Sequence, residues 1–228
     1  MLIKGFQKTT LLDFPSKVAS TVFTGGCNFR CPFCHNASLV THIDNTYIPD
    51  EDIIAYLKKR KGILDGICIT GGEPLLQRDI ADFCQKVKEI GLLIKLDTNG
   101  SRTEKLRELV SSGLIDYIAM DIKNSKSLYA HTCGLSEIPE DIESSIEFIM
   151  ECGLPYEFRT TVVRELHTKE SIDELCGWIS GASKYYLQSF KDSGDLISDG
   201  LSEYSENEMQ ELLQIARKHI PSAELRGI

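Results

Sequence analysis

The order of β-rich runs and amphipathic helical runs constrains the fold of this chain more than any other feature of its sequence. From residue 17 onward, runs rich in β-branched and aromatic residues alternate with runs whose apolar residues recur at helical spacing. The predicted strands are residues 17–24, 66–70, 92–97, 117–122, 156–163 and 184–190. The predicted helices are residues 50–60, 78–90, 103–112, 139–152, 169–179 and 205–220. Strands that alternate with helices usually pair in parallel through crossover connections, so the sequence predicts an α/β fold.

The composition of the predicted strands narrows the architecture further. Because they are mostly apolar along their length, both faces of the sheet should be covered by other elements. This pattern fits an open doubly wound sheet or a barrel, complete or partial. No Gly/Ser-rich linker or internal repeat divides the chain, which predicts a single domain over residues 1–228, with residues 1–16 as an N-terminal extension and 205–228 as a C-terminal helix and tail.

Polar and glycine-rich segments follow nearly every predicted strand. In order along the chain they read TGGC, TGGEP, DTNG, MDIK, RTTVV and LQSF. In parallel α/β folds, ligands bind at the carboxyl ends of the strands, and those ends lie at one edge of the sheet. The sequence therefore predicts one functional site to which several strand ends contribute.

Three cysteines at the end of the first predicted strand form the most conspicuous cluster in the sequence. Cys27, Cys31 and Cys34 fall within eight residues, whereas the other five cysteines are scattered singly and are expected to be buried free thiols. A structural zinc site needs four ligands, and the only nearby candidate, His35, directly follows Cys34. A 4Fe-4S cluster can instead take three thiolates and leave one iron open. The residues alone leave an iron-sulfur cluster, a zinc site and a structural or redox-active thiol loop as alternatives.

Charge and hydropathy bear on the location and partners of the protein. The formal net charge of -9 argues against a protein that binds nucleic acid by neutralising phosphates. No apolar run approaches the roughly 20 residues that span a bilayer, and the first residues do not resemble a signal peptide. We therefore expect a cytoplasmic protein that binds neither nucleic acid nor membranes.

Four motifs together resemble those of the radical S-adenosylmethionine (SAM) superfamily. The CxxxCxxC spacing, with Phe33 just before the third cysteine, resembles the superfamily signature, and GGEP at 71–74 resembles the segment that holds the amino group of SAM. DTNG at 97–100 and DIK at 121–123 are similar to segments of glycyl-radical-enzyme activases. Residues 11–36 are most similar to activating proteins of anaerobic ribonucleoside-triphosphate reductase. The resemblance implies a partial, open (β/α)6 parallel barrel.

The resemblance also implies roles for individual residues. Cys27, Cys31 and Cys34 would ligate one 4Fe-4S cluster and form the catalytic centre. Asp121 and Lys123 would serve a cation site and the SAM carboxylate, although a mutual salt bridge is the alternative for this pair. SAM would be bound by Gly71, Gly72, Glu73, Asp97, Thr98, Asn99, Asp121, Lys123, Arg159 and Gln188.

Three of these positions carry more specific expectations. Glu73 is expected to place its charge beside the ammonium group of SAM. A monovalent cation is expected near Asp97 and Asp121. Gln188 is expected to take the place of a histidine that contacts SAM in pyruvate formate-lyase activating enzyme, and a buried structural ion pair is the alternative role for Arg159.

The implied reaction is the reductive cleavage of SAM by an oxidoreductase. The resulting 5′-deoxyadenosyl radical would take a hydrogen atom from a glycine of a partner glycyl radical enzyme, most readily anaerobic ribonucleoside-triphosphate reductase. A low-potential donor such as flavodoxin or ferredoxin would supply the electron. The alternatives are a pyruvate formate-lyase-type activase, a radical SAM enzyme that acts on a small molecule, and a zinc-binding interaction module.

Overall fold

The structure is a computed structural model that describes residues 1–41 and 46–228. Within these residues, eight strands form one sheet in the order β1 to β8. Their bounds are β1 (Ile3–Thr10), β2 (Ala19–Thr24), β3 (Gly66–Gly71), β4 (Leu93–Thr98), β5 (Tyr117–Asp121), β6 (Tyr156–Val162), β7 (Tyr185–Ser189) and β8 (Glu224–Arg226). The helices are α1 (Ala37–Thr41), α2 (Asp50–Lys59), α3 (Ile80–Ile90), α4 (Thr103–Ser111), α5 (Tyr129–Cys133), α6 (Asp141–Glu151), α7 (Lys169–Trp178) and α8 (Glu206–Arg217).

All six predicted strands are present as β2 to β7, and each pairs in parallel with the next. The six predicted helices correspond to α2, α3, α4, α6, α7 and α8. The α/β prediction is confirmed, and the sheet is a partial, open barrel, since among the described residues β1 and β8 each have one neighbour and do not pair with each other.

Two edge strands were not predicted from the sequence. β1 lies in the segment expected to be an extension, and it pairs antiparallel with β2. Its sequence IKGFQKTT mixes polar and apolar residues, and its middle residues are partly or fully exposed, because an edge strand needs little apolar surface. β8 has only three residues and pairs with β7, which is too short a run for a pattern to indicate a strand.

The five cysteines outside the Cys27–Cys34 segment are mostly buried free thiols, as the sequence predicts. All eight cysteines of the described residues are free thiols. Of the five scattered ones, four are buried and Cys152 is partly exposed. None of the helices within residues 1–41 and 46–228 is long and apolar enough to cross a bilayer.

The register of the parallel strands brings the strand ends to one edge of the barrel. Thr24 at the end of β2 pairs with Gly71 at the end of β3. Asp121 at the end of β5 lies opposite Arg159 of β6. Further along β6, Thr161 lies opposite Gln188 of β7. The segments singled out in the sequence therefore meet on one side of the sheet.

Candidate functional site

A cavity of about 280 Å³ opens at the carboxyl ends of the strands. Its volume is close to the lower end of the range for small-molecule sites. Every predicted site residue except Glu73 lies in its wall: Cys27, Cys31, Cys34, Gly71, Gly72, Asp97, Thr98, Asn99, Asp121, Lys123, Arg159 and Gln188. The wall also contains residues that sequence reasoning did not select, among them Phe29, Phe33, His35, Asn36, Thr70, Thr161 and Ser189.

The loop that carries the three cysteines is anchored by apolar side chains and by backbone hydrogen bonds. Phe29 and Phe33, which alternate with the cysteines, are both buried in the main core. The backbone N–H of Arg30 donates to the carbonyl of Cys133 at the end of α5, at 2.8 Å. A side chain at Gly134 would meet the Arg30 carbonyl at 2.6 Å, so this glycine allows α5 to pack directly against the loop. The aromatic residues between the cysteines are the sequence signal for this anchoring.

The arrangement of the three thiols fits an iron-sulfur cluster better than a single zinc ion. Cys31 is buried, Cys27 and Cys34 are partly buried, and all three line the cavity. A single zinc ion needs all its thiolates at about 2.3 Å from one point. Among the residues that the structure describes, no three Cys, His, Asp or Glu side chains converge in this way. A cubane cluster offers each thiolate its own iron, so three thiols in the wall of one cavity suit it.

Lys123 is the cation placed to favour the thiolate forms that ligate iron. Burial raises the pKa of Cys27 to about 11 and also raises the pKa of Cys34. A hydrogen bond with the Cys133 thiol lowers the pKa of Cys31. The positive charge of Lys123 acts in the lowering direction on the pKa of all three cysteines and so opposes the effect of burial on Cys27 and Cys34. Because the thiolate is the metal ligand, Lys123 supports the form that a cluster requires.

The GGEP turn after β3 packs directly against the backbone that leads into the cysteine loop. A β-carbon on Gly72 would lie 2.0 Å from the carbonyl oxygen of Gly26. Gly71 has a φ of +111°, and a β-carbon there would lie 2.3 Å from the backbone nitrogen of Thr24. The N–H groups of Gly72 and Glu73 donate to Thr24 and Gly26, each at 2.8 Å. The two glycines thus allow close backbone packing as well as lining the cavity.

Glu73 is buried behind the cavity wall and is not among the residues that line the cavity. Its side chain is fully buried and accepts hydrogen bonds from the N–H of Leu75 at 3.0 Å and the hydroxyl of Thr98 at 2.9 Å. The N–H of Asn99 donates to its second oxygen at 2.7 Å. Glu73 therefore joins the turn after β3 to the end of β4. Burial raises its pKa to about 7, despite these three donors.

This raised pKa predicts a specific pH dependence of stability. Between the ordinary pKa of 4.5 and about 7, the folded protein holds a proton on Glu73 that the unfolded chain has lost. The free energy of unfolding should therefore fall as the pH rises through this window, by roughly 3 kcal/mol in total. Glu73→Gln should remove this contribution. Urea unfolding of both proteins across the window measures it, and a difference between them that is constant with pH would contradict the prediction.

Asp97 and Asp121 are joined by an ion-pair network at the floor of the cavity. Arg159 donates from Nε to Oδ1 of Asp121 at 2.9 Å and from Nη1 to Oδ2 of Asp97 at 3.1 Å. Lys123 donates to Oδ2 of Asp121 at 3.0 Å, and Lys95 pairs with Oδ1 of Asp97. The alternative of an Asp121–Lys123 salt bridge is thus present, and both residues line the cavity as well.

The network keeps its members ionised despite their burial. Burial alone would raise the carboxyl pKa values, but Arg159 with Lys95 lowers the pKa of Asp97, and Arg159 with Lys123 lowers that of Asp121. Burial would likewise lower the pKa of Arg159, but the two carboxylates raise it. The sequence analysis did not select Lys95 as a site residue. Lys95 lies two residues before Asp97 on β4, and this spacing places both side chains on the same face of the strand.

The end of β4 is tied to the cysteine loop through side-chain amides. Asn99 Nδ2 lies 3.7 Å from the sulfur of Cys27 and 3.0 Å from Oδ1 of Asn28. Asn28 in turn donates to the hydroxyl of Ser101 at 2.8 Å, so it links the cysteine loop to the segment that follows β4. In β7, the side-chain oxygen of Gln188 accepts a hydrogen bond from Arg226 at 3.5 Å. The DTNG segment therefore positions the loop on which the cysteines lie.

Comparisons with known proteins point to one family. Residues 21–179 match the Radical SAM superfamily. The chain is 32% identical to the "Putative glycyl-radical enzyme activating enzyme" MJ1227 of Methanocaldococcus jannaschii, over all of this chain and 96% of that protein. It is 25% identical to the pyruvate formate-lyase-activating enzyme of Clostridium pasteurianum, over 78% of this chain and 75% of the relative.

Two further similarities are to a cyclase and to a solved structure. The "Probable GTP 3′,8-cyclase" of Thermococcus kodakarensis is 27% identical over 66% of this chain, and the match covers about half of the cyclase (49%). The crystal structure of a radical SAM methyltransferase from Sphaerobacter thermophilus shares the fold with a TM-score of 0.74 at 16% identity, over 94% of this chain and 67% of that chain. The chain belongs to the radical SAM superfamily of enzymes, which implies a 4Fe-4S cluster and SAM as its cofactors.

Proposed function

We propose that this protein is a radical SAM activase that generates a glycyl radical on a partner enzyme. The observation that carries the proposal is that the three cysteine thiols line the same cavity as Asp97, Asp121 and Lys123, the strand-end residues similar to those of activases. The similarity along the whole chain to a protein named as a glycyl-radical enzyme activating enzyme supports it. When bound, the cluster and SAM supply the radical that removes a hydrogen atom from the partner's glycine.

The residues of the cavity wall have separable tasks in this proposal. Cys27, Cys31 and Cys34 hold the cluster as thiolates. Lys123 and Arg159, which belong to a network with more cationic groups than carboxylates, attract the carboxylate of SAM. The remaining wall residues proposed to bind SAM are Gly71, Gly72, Asp97, Thr98, Asn99, Asp121 and, on the adenosine side, Gln188. Glu73 fixes the GGEP turn from behind through its hydrogen bonds to the end of β4.

The partner enzyme, the electron donor and the cellular location of the protein can also be proposed. We take anaerobic ribonucleoside-triphosphate reductase as the partner, because residues 11–36 are most similar to its activating proteins. A flavodoxin or ferredoxin would supply the electron. We further propose that residues 1–228 act as a single domain in the cytoplasm, where a reducing environment keeps the free thiols reduced.

Electron paramagnetic resonance of mixtures with candidate partners tests this function. The anaerobic protein, with SAM and a reductant, is mixed with anaerobic ribonucleotide reductase or with pyruvate formate-lyase from the same source. We expect a glycyl radical doublet with the reductase and none when SAM is omitted. A doublet only with the lyase would reassign the partner, and no doublet with any glycyl radical enzyme of that source would contradict the activase function.

A second candidate is a radical SAM enzyme that acts on a small molecule, which the similarity to a GTP 3′,8-cyclase favours. In that case a small substrate would accelerate the cleavage of SAM in the absence of any partner protein. Addition of GTP to the reduced protein is the first assay. The formation of 5′-deoxyadenosine should be the same with and without GTP if the protein is an activase.

A further inference from the structure

The space between Asp97 and Asp121, where the sequence predicted a monovalent cation, is occupied by the Arg159 guanidinium group. Its Nε contacts one carboxylate and its Nη1 the other, at 2.9 and 3.1 Å. The planar fork of an arginine can span two carboxylates in this way, which a single ammonium group cannot do. A side chain of the protein thus bridges the two carboxylates.

Each of the four carboxylate oxygens of this pair already accepts a hydrogen bond from a cationic side chain. Oδ2 of Asp97 and Oδ1 of Asp121 face Arg159. The two remaining oxygens accept from Lys95 and Lys123. Hard cations bind through oxygen ligands, so a cation here would have to share its ligand oxygens with these cationic side chains.

The charge balance also opposes a further cation. Lys95, Lys123 and Arg159 carry three positive charges against the two negative charges of Asp97 and Asp121. A third carboxylate, Glu157, lies 3.9 Å from Arg159, but Arg226 already pairs with it at 2.9 Å. With that second pair included, the count is four positive charges against three negative charges, so an added metal ion would be repelled.

We propose that Arg159, supported by Lys95, is a built-in cation that takes the place of a bound Na⁺ or K⁺ at the ends of β4 and β5. The protein should then hold its strand ends together without any specific monovalent ion. This inference does not depend on which partner or substrate the enzyme has, because it concerns only the groups that neutralise Asp97 and Asp121.

The wild-type protein provides the first test. The midpoint of thermal unfolding of the full-length, cluster-loaded protein is measured anaerobically in NaCl, KCl and tetramethylammonium chloride at equal ionic strength. We expect no saturable rise of the midpoint with Na⁺ or K⁺ relative to tetramethylammonium, because only a specific site would give a saturable response. A midpoint that rises saturably with Na⁺ or K⁺ would overturn the proposal.

The variant Arg159→Gln is the second test, because it frees Oδ2 of Asp97 and Oδ1 of Asp121 and removes the excess positive charge. Its unfolding midpoint should rise by about 3 °C or more when Na⁺ or K⁺ replaces tetramethylammonium. Arg164→Gln is the matched control, because it removes an arginine from the exposed ion pair with Glu208 and should show no ion specificity.

The outcomes separate the proposal from its alternative. If Arg159→Gln folds but responds to no ion, Arg159 does not occupy a cation site and the proposal is wrong. If that variant does not fold, sodium-23 NMR of the wild-type protein decides the matter. Line broadening that K⁺ reverses would overturn the proposal, and a line width that does not change with added K⁺ would support it.

Discussion

Replacement of Cys31 by alanine should abolish both the cluster absorbance and the reductive cleavage of SAM. Cys31 is the most buried of the three cavity cysteines, and its pKa is lowered by the Cys133 thiol and by Lys123. Its loss leaves two thiolates, too few for the three-thiolate cradle that the loop provides. Iron content and visible absorbance after anaerobic reconstitution, followed by assay of 5′-deoxyadenosine, measure the two losses, and both should fall to background.

The matched control for this change is Cys84→Ala. Cys84 is a buried free thiol of α3 that does not line the cavity. Its truncation should cost some stability but leave the iron content and the cleavage rate near those of the wild-type protein. An intact cluster in the Cys31 variant would contradict the ligand assignment. Equal losses in the two variants would show that the effect comes from misfolding.

Replacement of Gly72 by alanine should destabilise the fold by about 3 kcal/mol or more. The added β-carbon would lie 2.0 Å from the carbonyl oxygen of Gly26, and 2.7 Å from its carbonyl carbon. These are backbone atoms at the start of the cysteine loop, so no flexible side chain can move aside. The turn after β3 and the cysteine loop would have to separate, which should lower the free energy of unfolding in urea and impair cluster binding.

Gly177→Ala is the control for this second prediction. Gly177 lies in α7, and the nearest atom to an added β-carbon is 3.7 Å away, on the His219 ring. Alanine is favoured over glycine inside a helix by roughly 0.5–1 kcal/mol, so this variant should be as stable as the wild-type protein or slightly more stable. Equal stability of the two variants would contradict the packing argument for Gly72.

Much of the fold was predictable because β2 to β6 are largely buried on both faces, which favours apolar runs that are visible in a sequence. The edge strand β1 was not predictable by the same criterion, because it contains polar residues that are partly exposed, such as Lys4, or exposed, such as Gln7. β8 is held by pairing with β7 and by the Arg226–Glu157 ion pair, and neither contact leaves a periodic pattern in three residues.

The sequence was sufficient to predict which strand-end segments line the cavity, but not which contacts their side chains make. Parallel strands bring their carboxyl ends together whatever their sequences, so the strand-end segments were bound to meet. The sequence could not show that Glu73 faces away from the cavity toward Thr98, because that depends on the geometry of the turn. It also could not show that Arg159 reaches two carboxylates that lie 62 and 38 residues away in the chain.

The formation of 5′-deoxyadenosine by the purified protein tests the central claim most directly. The anaerobically reconstituted protein is incubated with SAM and a strong one-electron reductant, and the products are separated by chromatography. We predict equal amounts of methionine and 5′-deoxyadenosine, which form only in the presence of the reductant and of the three cavity cysteines. A protein that holds its full iron content and yet yields no 5′-deoxyadenosine would contradict the account.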